Sequence, residues 1–189
     1  MHLTLVTQIV TAVATLLASL GGYLLAGLNE RRRDERTRIR ESESRRFERA
    51  AQLEDEGHAF QRETLLSLQD ALQKMARLTG KAMHFDHMQA REGKYTQLPD
   101  GLDEQMLAAD VEVSRLTARI LDPRVRVAVK DLTKLSAQLS TLPTDLQGLN
   151  GNDLERRGDA RLREFGDGYN AVMDVLGEAV RREIDWRPS

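Results

Sequence analysis

The feature that most constrains this chain is a change of character at Asn29. Residues 3–28 form a run of 26 residues without Asp, Glu, Lys or Arg, whereas residues 30–49 contain nine arginines and six acidic residues. As a helix the run would extend about 39 Å at 1.5 Å per residue, against a hydrocarbon core of about 30 Å. We therefore expect residues 1–29 to form a transmembrane anchor.

Two other interpretations of the apolar run stay open. A cleaved signal peptide would have a basic start, a shorter apolar stretch and an A-x-A-like cleavage site. The chain instead begins with Met1, His2 and Leu3, and the run ends in "LAGLNE". The other interpretation is an apolar helix buried in a soluble protein. The length of the run and its abrupt charged end favour the retained anchor over both.

Arginines next to the apolar run predict its orientation. Positive residues stay on the cytoplasmic side of a membrane, and the opposite flank offers only His2. We therefore expect a single-pass protein of the cell membrane, with its N-terminus outside and its C-terminal domain in the cytoplasm. The same side chains can bind anionic lipid headgroups. These juxtamembrane basic residues are Arg31, Arg32, Arg33, Arg36, Arg38 and Arg40.

One face of the predicted anchor carries small and hydroxyl side chains. Small residues let helix backbones approach closely in lipid, and hydroxyl groups can hydrogen-bond across the contact. This pattern predicts a homo-oligomer, although such residues are also common in single spans that do not associate. The residues of this face are Thr11, Ala14, Thr15, Ala18, Ser19, Gly22 and Ala26.

Residues 30–57 predict a charged helical stalk next to the membrane. Opposite charges recur at helical spacing, as in Arg31/Glu35, and each such pair stabilises a helix by about 0.2–0.5 kcal/mol. Apolar residues are too sparse for a sustained coiled-coil seam. Acidic residues are interleaved with the arginines and no row of aromatic residues accompanies them, which argues against nucleic acid as a partner.

Residues 58–189 predict a cytoplasmic bundle of about four antiparallel helices, and the whole chain is expected to be all-α. Apolar residues recur at helical spacing in four segments with short connections, and alternating strand patterns are missing. Asp122 and Pro123 form a helix-start signal. The segments are about 58–90, about 103–121, from 123 to the loop that begins at Pro143, and about 154–185.

The apolar stripes of these segments predict the core of the bundle. Gly166 and Gly168 interrupt the last segment, where each glycine costs about 1 kcal/mol relative to alanine. We expect a continuous or gently kinked helix there, or a close approach of a neighbouring chain segment. The predicted core residues are Phe60, Leu65, Leu68, Leu72, Met75, Thr79, Ala82, Met106, Val113, Leu116, Ile120, Val125, Ala128, Leu132, Leu135, Leu139, Leu162, Phe165, Tyr169, Val172, Leu176, Ala179 and Ile184.

The sequence offers few residues for chemistry. The absence of cysteine excludes disulfides and thiolate sites, and no phosphate-binding loop or zinc-protease motif occurs. His84 and His87 lie three apart and could supply two metal ligands, but Asp86 is expected to point to the other side. Two exposed histidines near a helix C-terminus interact favourably with the helix dipole. We therefore predict no catalytic residue, no cofactor and no metal site.

These observations favour a non-enzymatic, membrane-anchored helix bundle that self-associates and acts as a scaffold or signalling partner. Its expected partners are the lipid bilayer, further copies of itself and a protein bound to the cytoplasmic bundle. A holin-like effector, in which several single spans line a pore, is the first alternative. An enzyme with a metal at His84 and His87 is the second. The sequence motifs specify no reaction.

Overall fold

The structure, a computed structural model, describes residues 2–94, 98–141 and 143–187. For residues 2–37 and 39 it describes the helical backbone and not the side chains. The chain divides into two units, Met1–Leu53 and Glu54–Ser189. Each unit is treated separately below.

The described residues are all-α, as the sequence predicted. They form four helices and no strand, and the helices of the second unit form a bundle. Each helix is rich in strong helix formers such as Leu, Ala, Arg and Glu. The helices are α1 (His2–Arg91), α2 (Leu102–Thr117), α3 (Pro123–Ser140) and α4 (Gly151–Asp185).

The first unit consists of the beginning of α1. Its described side chains are mostly exposed, and some pair at helical spacing: Arg45 Nη2 lies 3.3 Å from Glu41 Oε2, and Ser44 donates a hydrogen bond to Glu48. Such exposed pairs stabilise a helix by only a few tenths of a kcal/mol, about 0.3–0.5. The predicted anchor, residues 1–29, lies outside the residues whose side chains are described. Within the described part of the chain, no helix combines the length and apolarity needed to cross a bilayer.

Contacts across the second unit show how its helices run. Near the start of this unit, His58 of α1 lies 2.6 Å from Glu183 of α4. Further along α1, His87 lies 3.2 Å from Glu155 of α4. Residue numbers therefore rise along α1 as they fall along α4, which makes the two helices antiparallel.

The helix starts and ends follow local chemistry. Asp122 caps α3, because its Oδ1 accepts a hydrogen bond of 2.8 Å from the backbone N–H of Arg124, and Pro123 opens the helix as predicted. α2 ends at Thr117, four residues earlier than expected. The side chain of Gln61 on α1 hydrogen-bonds to the backbone just beyond this end: its Nε2 donates to Arg119 O and its Oε1 accepts from the backbone N–H of Leu121.

The core of the bundle is built from the predicted apolar stripes, with three exceptions. Phe60, Leu162 and Ile184 are exposed, so their assignment to the core was wrong. The periodic pattern placed each of them on a core face, but they lie at its edge, where a small helix rotation decides burial. The fully buried side chains include Leu68, Leu72, Val113, Ile120, Leu132, Leu176 and the polar Thr79.

The two glycines in the last segment do not break it, because α4 is continuous from Gly151 to Asp185. A Cβ atom at Gly168 would lie 2.8 Å from Leu135 Cδ2 of α3, whereas one at Gly166 would meet nothing within 4 Å. Gly168 therefore marks a close approach of α3 to α4, one of the two outcomes expected from the sequence.

Candidate functional site

The structure describes the side chains of only some of the site residues predicted from the sequence. The side chains of the small-residue anchor face, and of Arg31, Arg32, Arg33 and Arg36, lie outside the described residues. Arg38 and Arg40 are described, and both are exposed. The anchor face and the juxtamembrane basic residues therefore stay predictions.

The two histidines of the "HFDH" segment have different surroundings. His84 is exposed, as expected. His87 is half-buried, its Nε2 lies 3.2 Å from Glu155 Oε2, and its ring lies against Gly158. The expectation of two exposed histidines was therefore wrong for His87. The apolar stripe of α1 did not indicate that His87 is half-buried, because this burial depends on contact of its ring with a glycine in α4.

A buried ionic cluster lies beside His87, and the sequence interpretation missed it. Arg161 of α4 is only 2 % exposed and Asp86 of α1 only 6 %. Arg161 Nη2 donates a hydrogen bond to Leu139 O and lies 3.6 Å from Asp86 Oδ2. Arg161 Nη1 lies 3.6 Å from Asp145 Oδ1. One buried cation thus links α1, α4, the end of α3 and the following loop.

The position of Arg161 could have been recognised from its spacing. It lies seven residues after Leu154 and four before Phe165, so it occupies a core position of the α4 stripe. A charge at a core position needs a buried partner, because an unpaired charge in the interior is very costly. Which residue supplies that partner depends on how the helices are paired, and the sequence pattern does not give this pairing.

Burial has a measurable consequence for the carboxyl group of Asp86. Loss of hydration raises the pKa of Asp86 to about 6, even though the charge of Arg161 and its hydrogen bond lower it. Asp145 adds a smaller raising effect through its negative charge. The carboxyl group is therefore less easily ionised in the folded protein than in the unfolded chain.

This shift predicts that stability falls as the pH rises from about 4 to about 6. The folded protein holds the Asp86 proton more tightly than the unfolded chain, so the stabilisation is complete below the ordinary pKa of 3.8 and is lost through about pH 6. The expected loss is up to about 3 kcal/mol. Urea unfolding at a series of pH values would measure it.

The matched variant is Asp86→Asn, which should flatten most of this slope. A weaker slope of the same sign should remain, because burial also raises the pKa of Asp110. Asp122 affects stability at lower pH instead. Burial raises its pKa, but hydrogen bonds and charge from Arg182 and Arg124 outweigh this effect, so the pKa of Asp122 lies below its ordinary value of 3.8. A slope unchanged by Asp86→Asn would contradict the assignment.

A small cavity adjoins the ionic cluster. It has a volume of about 130 Å³ and is lined mainly by apolar atoms, with four titratable side chains from His84, His87, Asp159 and Arg161. Asp86, the residue with the most shifted pKa, does not line it. Sites for small molecules usually measure about 300–1,000 Å³, so this cavity is too small for most substrates and its residues are better explained as helix packing.

Gly158 is predicted to be essential for the packing of His87. A Cβ atom at position 158 would lie 2.5 Å from His87 Nδ1 and 2.8 Å from its Cε1, so Gly158→Ala must displace the imidazole ring. We expect a loss of about 1–3 kcal/mol, as for other overpacked interiors. The measurement is urea unfolding of Gly158→Ala, with Gly166→Ala as the control.

A second substitution tests the cause of that loss. His87→Ala combined with Gly158→Ala should recover most of the stability, because the alanine Cβ then fills the space of the ring. Gly166→Ala should be neutral or stabilising, since nothing obstructs its Cβ. If the double variant is as unstable as Gly158→Ala alone, His87 is not the obstacle.

The opposite end of the α1–α4 pair is closed by stacked rings. The imidazole of His58 and the indole of Trp186 stack with their centroids 3.9 Å apart and their planes at 22°. His58 Nδ1 also lies 2.6 Å from Glu183 Oε2. Trp186 therefore covers this end of the α1–α4 pair.

An apolar groove lies between α2 and α3 on the surface of the bundle. It measures about 570 Å³ and its floor is formed by the buried side chains of Val113 and Val129. One rim carries three basic residues from successive turns of α3, which are Arg126, Lys130 and Lys134. We call this feature the α2–α3 groove. Its shape and lining suit a helix better than a small polar substrate.

In the part of the chain that the structure describes, the fold is an all-α helical bundle with a buried ionic cluster and a basic-rimmed apolar groove. Among the described residues, no group of three or more His, Asp or Glu side chains is arranged to hold a metal ion. Comparisons with protein-family models, with curated proteins and with solved structures gave no match.

Proposed function

We propose that this protein is a membrane-anchored, self-associating helix bundle that acts as a scaffold or signalling partner and not as an enzyme. The observation that carries this proposal is the α2–α3 groove, an apolar surface with a basic rim. The polar cluster at Asp86 and Arg161 is instead occupied with joining the helices to one another. Apolar grooves with a charged rim are surfaces that bind protein segments.

The proposed arrangement has three parts: a transmembrane anchor at residues 1–29, a charged stalk at 30–57 and a cytoplasmic bundle at 58–189. The uncharged run and its flanking arginines support the anchor and its orientation. The stripe of small residues within it, centred on Ala18 and Gly22, supports self-association.

The orientation can be tested with single cysteines, because the native chain has none. An impermeant thiol reagent applied to intact cells should label His2→Cys and leave Ser189→Cys unlabelled. Both variants should stay in the membrane fraction after alkaline washing. Labelling of Ser189→Cys alone would contradict the orientation, and release by washing would contradict the anchor.

Self-association can be tested by changing the small-residue face. Ala18→Leu with Gly22→Leu should still insert, since leucine favours the bilayer core, but should cross-link in native membranes mainly as a monomer. The control is Leu17→Ala with Leu20→Ala on the other side of the helix, which should leave the cross-linking pattern unchanged.

The membrane potential of the same cells distinguishes a scaffold from a pore. Induction of the native protein should leave the membrane potential unchanged if it is a scaffold. Collapse of the potential, abolished by the Ala18→Leu/Gly22→Leu variant, would favour the pore-forming alternative instead.

A further inference from the structure

The apolar surface of the α2–α3 groove continues along α2 beyond the groove itself. Ser114 and Ala118 belong to the α2 wall of the groove. Leu107 and Val111 precede them on the same side of the helix, at spacings of four, three and four residues. Leu107 is 65 % exposed and Val111 is 59 % exposed. This apolar side of α2 extends about 16 Å, or about three helical turns, which is long enough to contact a docked helix.

The walls of the groove leave room for such a helix to approach its floor. Small side chains at a helix contact let the two axes lie close together, at about 8–10 Å. The floor is formed by Val113 on α2 and Val129 on α3. The small side chains of the walls belong to Ser114, Thr117, Ala118, Thr133 and Ala137.

The α3 rim of the groove carries a row of positive charges. Arg126, Lys130 and Lys134 line the groove and are exposed. They lie four residues apart, at intervals of about 6 Å along the helix. Among the described residues, the ion pairs of α3 involve only Arg124, which lies near Asp122 and Glu178. The three rim cations are therefore available to carboxylates of a partner.

The α2 wall differs in charge from the α3 rim. Arg115 is the only cation of α2, and it is paired with Glu112 at 2.7 Å. Asp110 is half-buried and does not line the groove. The other carboxylates of α2 lie in its first turn, at Asp103 and Glu104. A docked helix should therefore carry acidic residues only along the edge beside α3, and its edge beside α2 should be apolar or uncharged.

The outer surfaces of the chain itself do not have this character. Glu63 and Asp70 are exposed on the outer side of α1, but Arg62, Lys74 and Arg77 are exposed beside them. The exposed side of α4 is mixed in the same way, with Arg156, Arg163 and Arg181 among its carboxylates. Charge complementarity therefore favours a different protein over a second copy of the chain. A flat anionic membrane would contact the rim cations and leave the apolar floor uncovered.

From these observations we propose that the α2–α3 groove binds an amphipathic helix of a partner protein. The apolar face of this helix lies on Val113 and Val129, and acidic residues one turn apart lie beside Arg126, Lys130 and Lys134. Binding of an amphipathic helix in an apolar groove is a common mode of peptide recognition. The inference rests on the proposed function, in which the bundle is a scaffold or signalling partner, and it specifies the chemistry of the partner segment.

The test traps a synthetic helix in the groove of the full-length protein, reconstituted in vesicles of uncharged phosphatidylcholine. The peptide has about fifteen residues, a stripe of leucines, three glutamates four residues apart along one edge and a single cysteine beside the stripe. Ala118→Cys in the groove should form a mixed disulfide with it, because the native chain has no other cysteine. Leu162→Cys, an exposed position on α4, is the control and should not.

Two further peptides test the charge of the partner. Replacing the three glutamates by lysines should lower the disulfide yield at Ala118→Cys about ten-fold, equivalent to about 1.4 kcal/mol. Replacing them by glutamines should give an intermediate yield. The advantage of the glutamate peptide should shrink as salt is raised, because exposed charges are screened.

Charge reversal on the protein tests which cations are responsible. Lys130→Glu with Lys134→Glu, added to Ala118→Cys, should reverse the preference so that the lysine peptide is trapped better. The matched control is Lys74→Glu with Lys81→Glu, two exposed lysines of α1, which should leave the preference unchanged. Circular dichroism of both variants should match the parent, since all four positions are exposed. A preference that is the same in both variants would overturn the proposal.

The peptides also separate this inference from the proposed function. Equal trapping of all three at Ala118→Cys would overturn the acidic partner and leave the groove as a site for an apolar helix. Trapping of none would overturn the inference together with the groove on which the proposed function depends. A disulfide between two Ala118→Cys copies that the glutamate peptide does not prevent would identify a second copy as the occupant. Capture of lipid alone by a photo-cross-linker on the same cysteine would identify the membrane, and either result would overturn the proposal.

Discussion

Replacement of Arg161 by alanine is expected to lower the free energy of unfolding by about 3–5 kcal/mol at neutral pH. The substitution removes the only cation within reach of Asp86 among the described residues and leaves that carboxyl group in the interior. It also removes the donor to Leu139 O, at the end of α3. The measurement is urea unfolding of Arg161→Ala. Arg163→Ala, an exposed position two residues further along α4, serves as the control and should change stability by less than about 0.5 kcal/mol.

The pH dependence of that loss separates charge from packing. At pH 5 the carboxyl group of Asp86 already holds its proton in the folded protein, since its pKa is raised to about 6. Arg161→Ala should therefore cost less at pH 5 than at pH 7. A loss of equal size at both values would mean that packing around the long Arg161 side chain, and not its charge, is what stabilises the fold.

A double substitution tests whether the ionic cluster is needed for stability at all. Arg161→Met with Asp86→Leu replaces the two buried charges by apolar side chains of similar length. Buried ion pairs are often matched or exceeded by such replacements, because desolvation offsets much of the attraction between the charges. We expect the double variant to be far more stable than Arg161→Ala. The ionic cluster would then specify which helices pair and would not add to the stability of the fold.

The number of helices and most of the core were predictable because they follow from spacing alone. Leu68, Leu72 and Leu176 recur at helical intervals, and each is buried. Phe60 fitted the same spacing and is exposed. Periodicity identifies the face of a helix, but the edge of that face depends on how the neighbouring helix is rotated.

The polar contacts of the bundle were not predictable for a different reason. Asp86 pairs with Arg161, 75 positions along the chain, and His87 fits over Gly158 only because that residue lacks a Cβ. Such contacts depend on which helices are neighbours and on their relative height. A single sequence shows which residues share one face of a helix. Which residue of a neighbouring helix contacts them is known only once the helices are assembled.

The largest effect is expected for a carboxylate placed in the centre of the core. Leu72 and Leu176 are almost fully buried, on α1 and α4 respectively. An unpaired carboxylate there would cost several kcal/mol, and the Leu→Asp change also removes about 2–5 kcal/mol of apolar packing. Since a domain of this size is stable by only about 5–15 kcal/mol, Leu72→Asp and Leu176→Asp should each abolish cooperative unfolding. Circular dichroism during heating of the isolated unit 54–189, which we expect to fold by itself, is the measurement.

Two exposed leucines on the same helices give matched controls for this prediction. Leu66→Asp on α1 and Leu162→Asp on α4 introduce the same side chain at positions that are about half exposed. Their carboxylates stay hydrated, so both variants should melt cooperatively within a few degrees of the parent. If Leu72→Asp melts like Leu66→Asp, the core face assigned to α1 is wrong. If all four variants fail to melt cooperatively while the parent succeeds, the bundle is too unstable for burial to decide the outcome. Tolerance of the outer leucines together with failure at the inner ones is the result that the packing of the four helices predicts.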